Sequence, residues 1–260
     1  MARSILVTGG GSGIGRATAQ LFAARGWRVG LADVDAAGLA ATAALLPQGA
    51  DTYVMDVRDR AGWARTLAAF AGPGGAIDVL FNNAGIPCGG PLATTSGEEI
   101  DRVIAINLVG VIDGARLAHP YLAKGQDACL LNTASAAGIY GGPGISIYGV
   151  TKAAVRSLTE TLDAEWAPDG IRVRALMPSF IETPLLDRTT AGSNATIRET
   201  VRAGGLELTP VEQVAAAAWA AVHGDRLLWP VGRTARRLAF AARWMPGRLR
   251  ARMRGRAVRP

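Results

Sequence analysis

Cysteine and histidine are scarce: Cys88, Cys129, His119 and His223 are the only four in 260 residues. That is too few for a disulfide framework or a zinc cage, so no structural metal and a reduced, cytoplasmic setting are expected. Charged residues are also sparse, at 19%, yet apolar residues reach 49%. A chain of that balance forms a core and is not intrinsically disordered. In the C-terminal half the longest run without a polar residue, Val214–Val222, is far short of the ~20 residues a membrane span needs, so no transmembrane helix is expected. The N-terminal apolar run reaches Gly9 early, so no signal peptide is expected.

Acidic residues are missing from one stretch. Residues 233–260 hold ten of the 28 basic residues and none of the 21 acids. The first 232 residues therefore carry 18 bases against 21 acids, a net charge of −3. The overall +7 and the isoelectric point near 10.2 belong to this tail and not to the body. A basic face for specific nucleic-acid binding on the body is not supported. A neutral small molecule suits the body better.

Strand and helix signals alternate along the chain. Short apolar runs at Ser4–Val7, Trp27–Ala32, Thr52–Met55, Ile77–Phe81, Ala128–Asn132, Ile171–Leu176 and Leu227–Val231 read as strands. Between them, helical patterns cover about 13–25, 36–46, 58–70, 97–123, 147–166 and 211–222. The alternation predicts an α/β fold, a doubly wound parallel sheet with helices on both faces. Residues 180–208 read as a long irregular insertion, and such loops often serve as lids.

A glycine cluster, Gly9-Gly10-Gly11-Ser12-Gly13-Ile14-Gly15, follows the first strand and opens the first helix. In that setting backbone N–H groups and the helix N-terminus cradle a pyrophosphate. Asp33 ends the second strand, where a carboxylate accepts hydrogen bonds from an adenosine ribose and repels a 2′-phosphate. The alternative is that Asp33 caps the next helix. A second constellation is Tyr148-x-x-x-Lys152. Residues i and i+4 share a helix face, and a lysine charge lowers a nearby phenol's pKa, making it a workable general acid–base. The alternative is a surface Tyr–Lys pair. Ser135 lies thirteen residues upstream at the end of a strand, and a glycine-rich loop can bring its hydroxyl beside Tyr148.

Together the residues resemble the classical short-chain dehydrogenase/reductase family. The matches are Thr8-Gly9-x-x-x-Gly13-x-Gly15, Asn82-Asn83-Ala84-Gly85, Asn107, Ser135, Tyr148-x-x-x-Lys152 and Pro178-x-x-Ile181-x-Thr183, in the family's order. The resemblance implies a single Rossmann-type domain, a nicotinamide dinucleotide and reversible alcohol–carbonyl oxidoreduction. It implies a catalytic set in which Tyr148 is the acid–base, Lys152 lowers its pKa and contacts the nicotinamide ribose, and Ser135 orients the substrate oxygen. Asn107 is then the residue that holds a relay water, unless it is simply bonded locally. Gly9, Ser12, Gly13, Ile14 and Gly15 are expected at the cofactor phosphates, and Asp56 and Val57 at the adenine. Asn83, Ala84 and Gly85 are expected beside the cofactor, and Pro178, Ile181 and Thr183 at its carboxamide end. Ser179 departs from the family's usual glycine and puts the local loop geometry in doubt.

Asp33, with Ser12 and Val34 where NADP-preferring relatives tend to carry a base, favours NAD over NADP. Arg16 is expected to face solvent. An NADP-dependent ketoreductase and a non-catalytic dinucleotide sensor are the competing readings. Ile86, Cys88, Ala137, Ile139, Tyr140, Ile145, Phe180 and Leu185 are the expected pocket residues, and no basic side chain is evidently aimed inward. They favour a neutral, hydrophobic secondary alcohol or ketone. The resemblance further implies a homotetramer or dimer. Residues 1–232 are read as the catalytic domain, with a lid at about 180–208, and 233–260 as a basic, partly helical extension outside catalysis. Arg233–Met245 is expected to be helical and interrupted by Pro246-Gly247. Its apolar side suits packing on the body or a neighbouring subunit with the basic end solvated; the alternative is that its arginines, interleaved with Phe240 and Trp244, make a peripheral contact with an anionic membrane.

Overall fold

A computed structural model describes residues 2–187, 189 and 195–255. Seven parallel strands form the main sheet, in the spatial order β3 (Asp51–Val54), β2 (Arg28–Asp33), β1 (Ser4–Thr8), β4 (Val79–Asn82), β5 (Cys129–Thr133), β6 (Arg172–Pro178) and β9 (Leu228–Val231). Strand side chains alternate between two cores. Ile5, Val7, Val29, Leu31, Phe81 and Leu131 join Phe22 of α1 (Gly13–Ala23) and Val214, Ala218 and Val222 of α8 (Val211–His223) on one face. Leu6, Leu80, Leu130 and Val173 face Trp63, Leu67 and Phe70 of α3 (Arg60–Ala71), Leu122 of α5 (Gly110–Leu122) and Leu162 of α6 (Ser146–Glu165). Burial on both faces explains why these strands read as continuous apolar runs.

The sheet reverses its winding between β1 and β4. Open parallel sheets bind ligands at such a switch point, beyond the carboxyl ends of the strands. A buried polar chain ties the strands together there. Asn82 Nδ2 donates to Asn132 Oδ1 at 3.2 Å, and Asn132 Nδ2 donates to Thr159 Oγ1 of α6 at 3.0 Å.

Several local features differ from the sequence expectation. The long helix is α4 (Gly97–Ile104) and α5 joined by one π turn, Ala105–Val109, which carries Asn107. By length and composition this rod, Gly97–Leu122, is apolar enough to cross a membrane, which the sequence reading did not expect. Here α5 packs on the sheet and on α3 as a core helix. The 180–208 segment is not irregular throughout. β7 (Phe180–Ile181) pairs in parallel with β8 (Leu208–Thr209), Pro184–Asp187 is a 3₁₀ turn, and α7 (Ile197–Ala203) begins with a Thr196/Glu199 capping box. Residues 188 and 190–194 of the expected lid lie outside the described residues.

The tail also differs. α9 (Arg233–Trp244) ends one residue early, and Pro246 does not terminate helix but starts α10 (Pro246–Arg254). Proline at a first helical position loses no hydrogen bond the helix would have made. Arg256 and Arg259 lie outside the described residues.

Candidate active site

The glycine cluster lies between β1 and α1, on the switch-point crevice. Gly9 and Gly13 have φ of +66° and +49°, conformations that side chains oppose. A Cβ at Gly15 would stand 2.1 Å from the Gly9 carbonyl oxygen, so only glycine fits. The turn is thus folded tightly enough to expose backbone to a phosphate, and its residues fit a dinucleotide. Ser12 and Ile14 flank Gly13 at the start of α1, and Ser12 occupies the N-cap without spending its side chain on the cap.

Asp33 Oδ2 accepts from Gly11 N–H at 2.9 Å, and its Oδ1 accepts from Asp35 N–H at 3.1 Å. The cap of the next helix, α2 (Ala36–Ala43), is Asp35, which accepts from Gly38 N–H at 3.0 Å. The alternative role for Asp33 therefore falls away, and its carboxylate borders the glycine turn. Arg16 was expected in solvent. It instead folds back, donating to Thr42 Oγ1 at 2.9 Å and to the Gly11 carbonyl. Asp56 forms an ion pair with Arg58 at 2.6 Å, and that hydrogen-bonded guanidinium holds its carboxyl below the usual range. Val57 is buried, and its carbonyl accepts from Trp63 Nε1.

Thr8, at the end of β1, fixes the next segment. Its hydroxyl accepts from Asn83 N–H at 3.0 Å and Ala84 N–H at 3.1 Å, and Asn83 Nδ2 donates to the Thr8 carbonyl. Gly85 follows in a close-packed place. A Cβ there would lie 3.2 Å from Asn107 Oδ1 and 3.5 Å from Lys152 Nζ. Asn107 is fully buried, and both ends of its carboxamide hold Ile86: Oδ1 accepts from Ile86 N–H at 2.8 Å and Nδ2 donates to Ile86 O at 2.9 Å. The π turn rotates Asn107 out of the ordinary helix register, as π turns often do at functional sites.

Ser135, at the end of β5, and Tyr148 and Lys152, on α6, come together opposite that segment. The Ser135 hydroxyl stands close enough to the Tyr148 phenol to lower its pKa, but the larger effect is burial, which raises it. Lys152 is 3% exposed, and its Nζ donates to the Thr133 carbonyl at 2.8 Å. Burial pushes its pKa down from 10.5 to about 8. The expectation that the Lys152 charge lowers the Tyr148 pKa is not met here. The ammonium sits 5.8 Å from the ring centroid and directs its hydrogen bond to backbone, leaving Ser135 as the group that favours the phenolate.

Pro178 ends β6 beside Ser135, whose hydroxyl lies 3.4 Å from the Pro178 carbonyl. Ser179 has no positive φ, so serine replaces glycine there without backbone strain. Ile181 is buried in the core. Thr183 reaches across the crevice: its methyl would lie 3.1 Å from a Cβ placed on Gly13. Glycine turn, Asn83–Gly85 segment, Ser135–Tyr148–Lys152 cluster and Thr183 thus surround one crevice.

The family model for short chain dehydrogenase matches residues 3–194. The chain belongs to the short chain dehydrogenase family. Among its relatives, the 2,5-dichloro-2,5-cyclohexadiene-1,4-diol dehydrogenase of Sphingobium indicum is 40% identical over 229 residues, covering 84% of this chain and 88% of that protein. The 3-oxoacyl-[acyl-carrier-protein] reductase FabG of Thermotoga maritima is 39% identical over 186 residues, 70% of this chain and 76% of that one. A solved short chain dehydrogenase/reductase from Burkholderia phymatum in complex with NAD superposes with a TM-score of 0.81 at 30% identity, covering 96% and 95% of the two chains. The protein is accordingly an oxidoreductase of alcohols and ketones on an NAD(P)-binding Rossmann fold.

Two features of this short chain dehydrogenase escaped the sequence reading. Thr133 supplies the carbonyl that anchors Lys152 and donates its hydroxyl to Asn83 Oδ1 at 3.3 Å. Its place at the end of an apolar strand gave no signal. The other is a cavity of about 620 Å³ beside the Ser135–Tyr148 loop. Of the expected pocket residues, only Tyr140 lines it; Cys88 is buried.

Proposed function

We propose that this enzyme interconverts a secondary alcohol and a ketone with NAD(H), using Ser135, Tyr148, Lys152 and Asn107. The observation that carries the proposal is the gathering of Ser135, Tyr148 and the buried Lys152 opposite a tight glycine turn whose residues fit a phosphate. Ser135 orients the substrate oxygen, and the Tyr148 phenol gives or takes its proton. Lys152 holds a positive charge below the phenol, and Asn107 fixes the Gly85–Ile86 backbone that walls the site. When bound, the nicotinamide supplies or accepts the hydride. Gly9, Ser12, Gly13, Ile14 and Gly15 would hold its phosphates, Asp33 the adenosine ribose, Asp56 and Val57 the adenine, Asn83, Ala84 and Gly85 the middle, and Pro178, Ile181 and Thr183 the carboxamide.

Tyr148→Phe tests the assignment. It keeps the ring and removes the proton, so turnover should fall by the ~10²–10⁴-fold of general acid–base catalysis while cofactor affinity holds. A loss below tenfold at saturating substrate sinks it.

Asp33 supports NAD, by placing a carboxylate where a 2′-phosphate would sit. The folded-back Arg16 favours the second reading, NADP, because its guanidinium lies against the same turn. Retention of all four site residues argues against a non-catalytic sensor. Ile112 and Val150, exposed on α5 and α6, support association through those helices into a dimer or tetramer, measurable as solution mass.

We read residues 1–232 as the catalytic unit, with 180–208 as its lid, in a cytoplasmic enzyme. Arg233, Arg236, Arg237, Phe240, Arg243 and Trp244 form one exposed face of α9. That mixture of cations and aromatics supports peripheral contact with an anionic membrane.

A further inference from the structure

The cavity of about 620 Å³ has an unusual wall. One side is the loop between the two proton-handling residues, including Tyr140, Pro143 and Ser146. Another is the segment after β4 at Pro91–Ala93, tied to that loop by Gly90 N–H donating to Gly144 O at 2.8 Å. The third is the C-terminal helix α10, through Arg250, Met253 and Arg254. These three stand at i, i+3 and i+4, so they occupy one helix face. The helix is anchored: Leu249 is buried, α10 packs on α9, and α9 packs on the 3₁₀ turn Ala136–Gly138 next to Ser135. At the start of α9, Glu207 accepts from Arg233 N–H at 2.8 Å. α9 and α10 are therefore folded back against the loop that leads from Ser135 to Tyr148. Neither Arg250 nor Arg254 forms an ion pair or side-chain hydrogen bond among the described residues.

We propose that Arg250 and Arg254 bind an anionic group at the far end of the substrate, a carboxylate or a phosphate, while the apolar lining holds the chain that joins it to the reacting carbon. The inference rests on the oxidoreductase reading of Tyr148 and narrows it. It replaces the expectation of a neutral substrate, which looked for bases only near the motifs. Two guanidiniums on one helix face match an oxyanion with forked, charge-assisted hydrogen bonds. The other pair on the helix, Arg248 and Arg252, does not line the cavity.

The test uses 8-oxononanoate, its methyl ester, and 7-oxooctyl phosphate as ketone substrates of the full chain. The free acid or the phosphate should exceed the ester in kcat/KM by about tenfold, a charge-assisted bond being worth roughly that. Whichever anion is favoured names the source. In Arg250→Ala/Arg254→Ala the advantage should vanish through KM, with kcat and the ester's kcat/KM kept. Arg248→Ala/Arg252→Ala removes the same charge and should retain the advantage. Equal use of anions and ester by the unmodified enzyme overturns the proposal, as does equal loss in both double variants, which would mean only long-range charge. If no ketone turns over, calorimetric binding of the two anions decides. Saturable uptake lost only in Arg250→Ala/Arg254→Ala keeps the anion site and sinks the assignment of such ketones to Tyr148. No uptake overturns the anion site.

Discussion

Lys152 is held in a place that costs the fold stability, and the cost can be measured. The side chain is 3% exposed, and its charged form is disfavoured enough to move the pKa from 10.5 to about 8. At ~1.4 kcal/mol per pH unit, keeping it protonated in the folded protein costs about 3 kcal/mol at pH 7. The unfolded chain holds this proton up to pH 10.5, whereas the folded chain releases it near 8. Between those values the unfolded state binds more protons, so the contribution to stability rises with pH. Lys152→Met keeps most of the side-chain length and removes the charge. It also removes the 2.8 Å bond to the Thr133 carbonyl, a loss of about 1 kcal/mol. The variant should therefore be inactive yet more stable than the parent by about 2 kcal/mol at pH 7, with the advantage gone by about pH 10. Packing and the lost bond do not depend on pH, so the change in the difference isolates the proton. Urea unfolding read from the six tryptophans, at one protein concentration because association shifts apparent stability, measures it. A difference that stays constant from pH 7 to pH 10 would refute the reasoning.

Gly15→Ala should abolish cofactor binding and lower the melting temperature, because the added methyl meets the Gly9 carbonyl at 2.1 Å; unchanged NAD affinity by calorimetry would contradict the cradle. Asp33→Ser should shift the NADP-to-NAD ratio of kcat/KM upward by at least about tenfold through loss of a like-charge clash, and Arg16→Ala should lower it; an unmodified enzyme that already prefers NADP would overturn the NAD assignment. Phe240→Ala/Trp244→Ala should weaken salt-sensitive co-sedimentation with anionic vesicles without changing turnover, and equal sedimentation of variant and parent would remove α9 as the contact.

The parallel sheet was legible because each buried strand carries its own apolar run. Ser4–Thr8 and Cys129–Thr133 are buried along their whole length, and no distant residue is needed to recognise them. The positions of Asn83, Ser135, Tyr148 and Lys152 were legible because each sits at the end of a strand or on one face of a helix. What was not legible depends on contacts between distant segments. Arg16 reads as a solvent-facing helix residue until Thr42 and the Gly11 carbonyl, from other parts of the crevice, are beside it. The π turn at Asn107 has no proline or glycine to announce it. In it the carboxamide meets both the N–H and the C=O of Ile86, a residue of a distant segment.

The tail shows the limit most sharply. Ten arginines without an acid read as a basic, partly helical extension, and charge composition alone does not say which arginine faces where. Yet four apolar or small positions decide where the helices lie. Ala235 is fully buried and Leu249 nearly so, while Leu238 and Met253 are half-buried. Those positions pack α9 and α10 against the body, and the helical period then sorts the arginines into separate groups. Arg233, Arg236, Arg237 and Arg243 turn outward with Phe240 and Trp244, while Arg250 and Arg254 turn toward the cavity. A single block of charge in the sequence is thus two surfaces in the structure. One is exposed on α9, and the other lines the cavity beside the loop that leads from Ser135 to Tyr148.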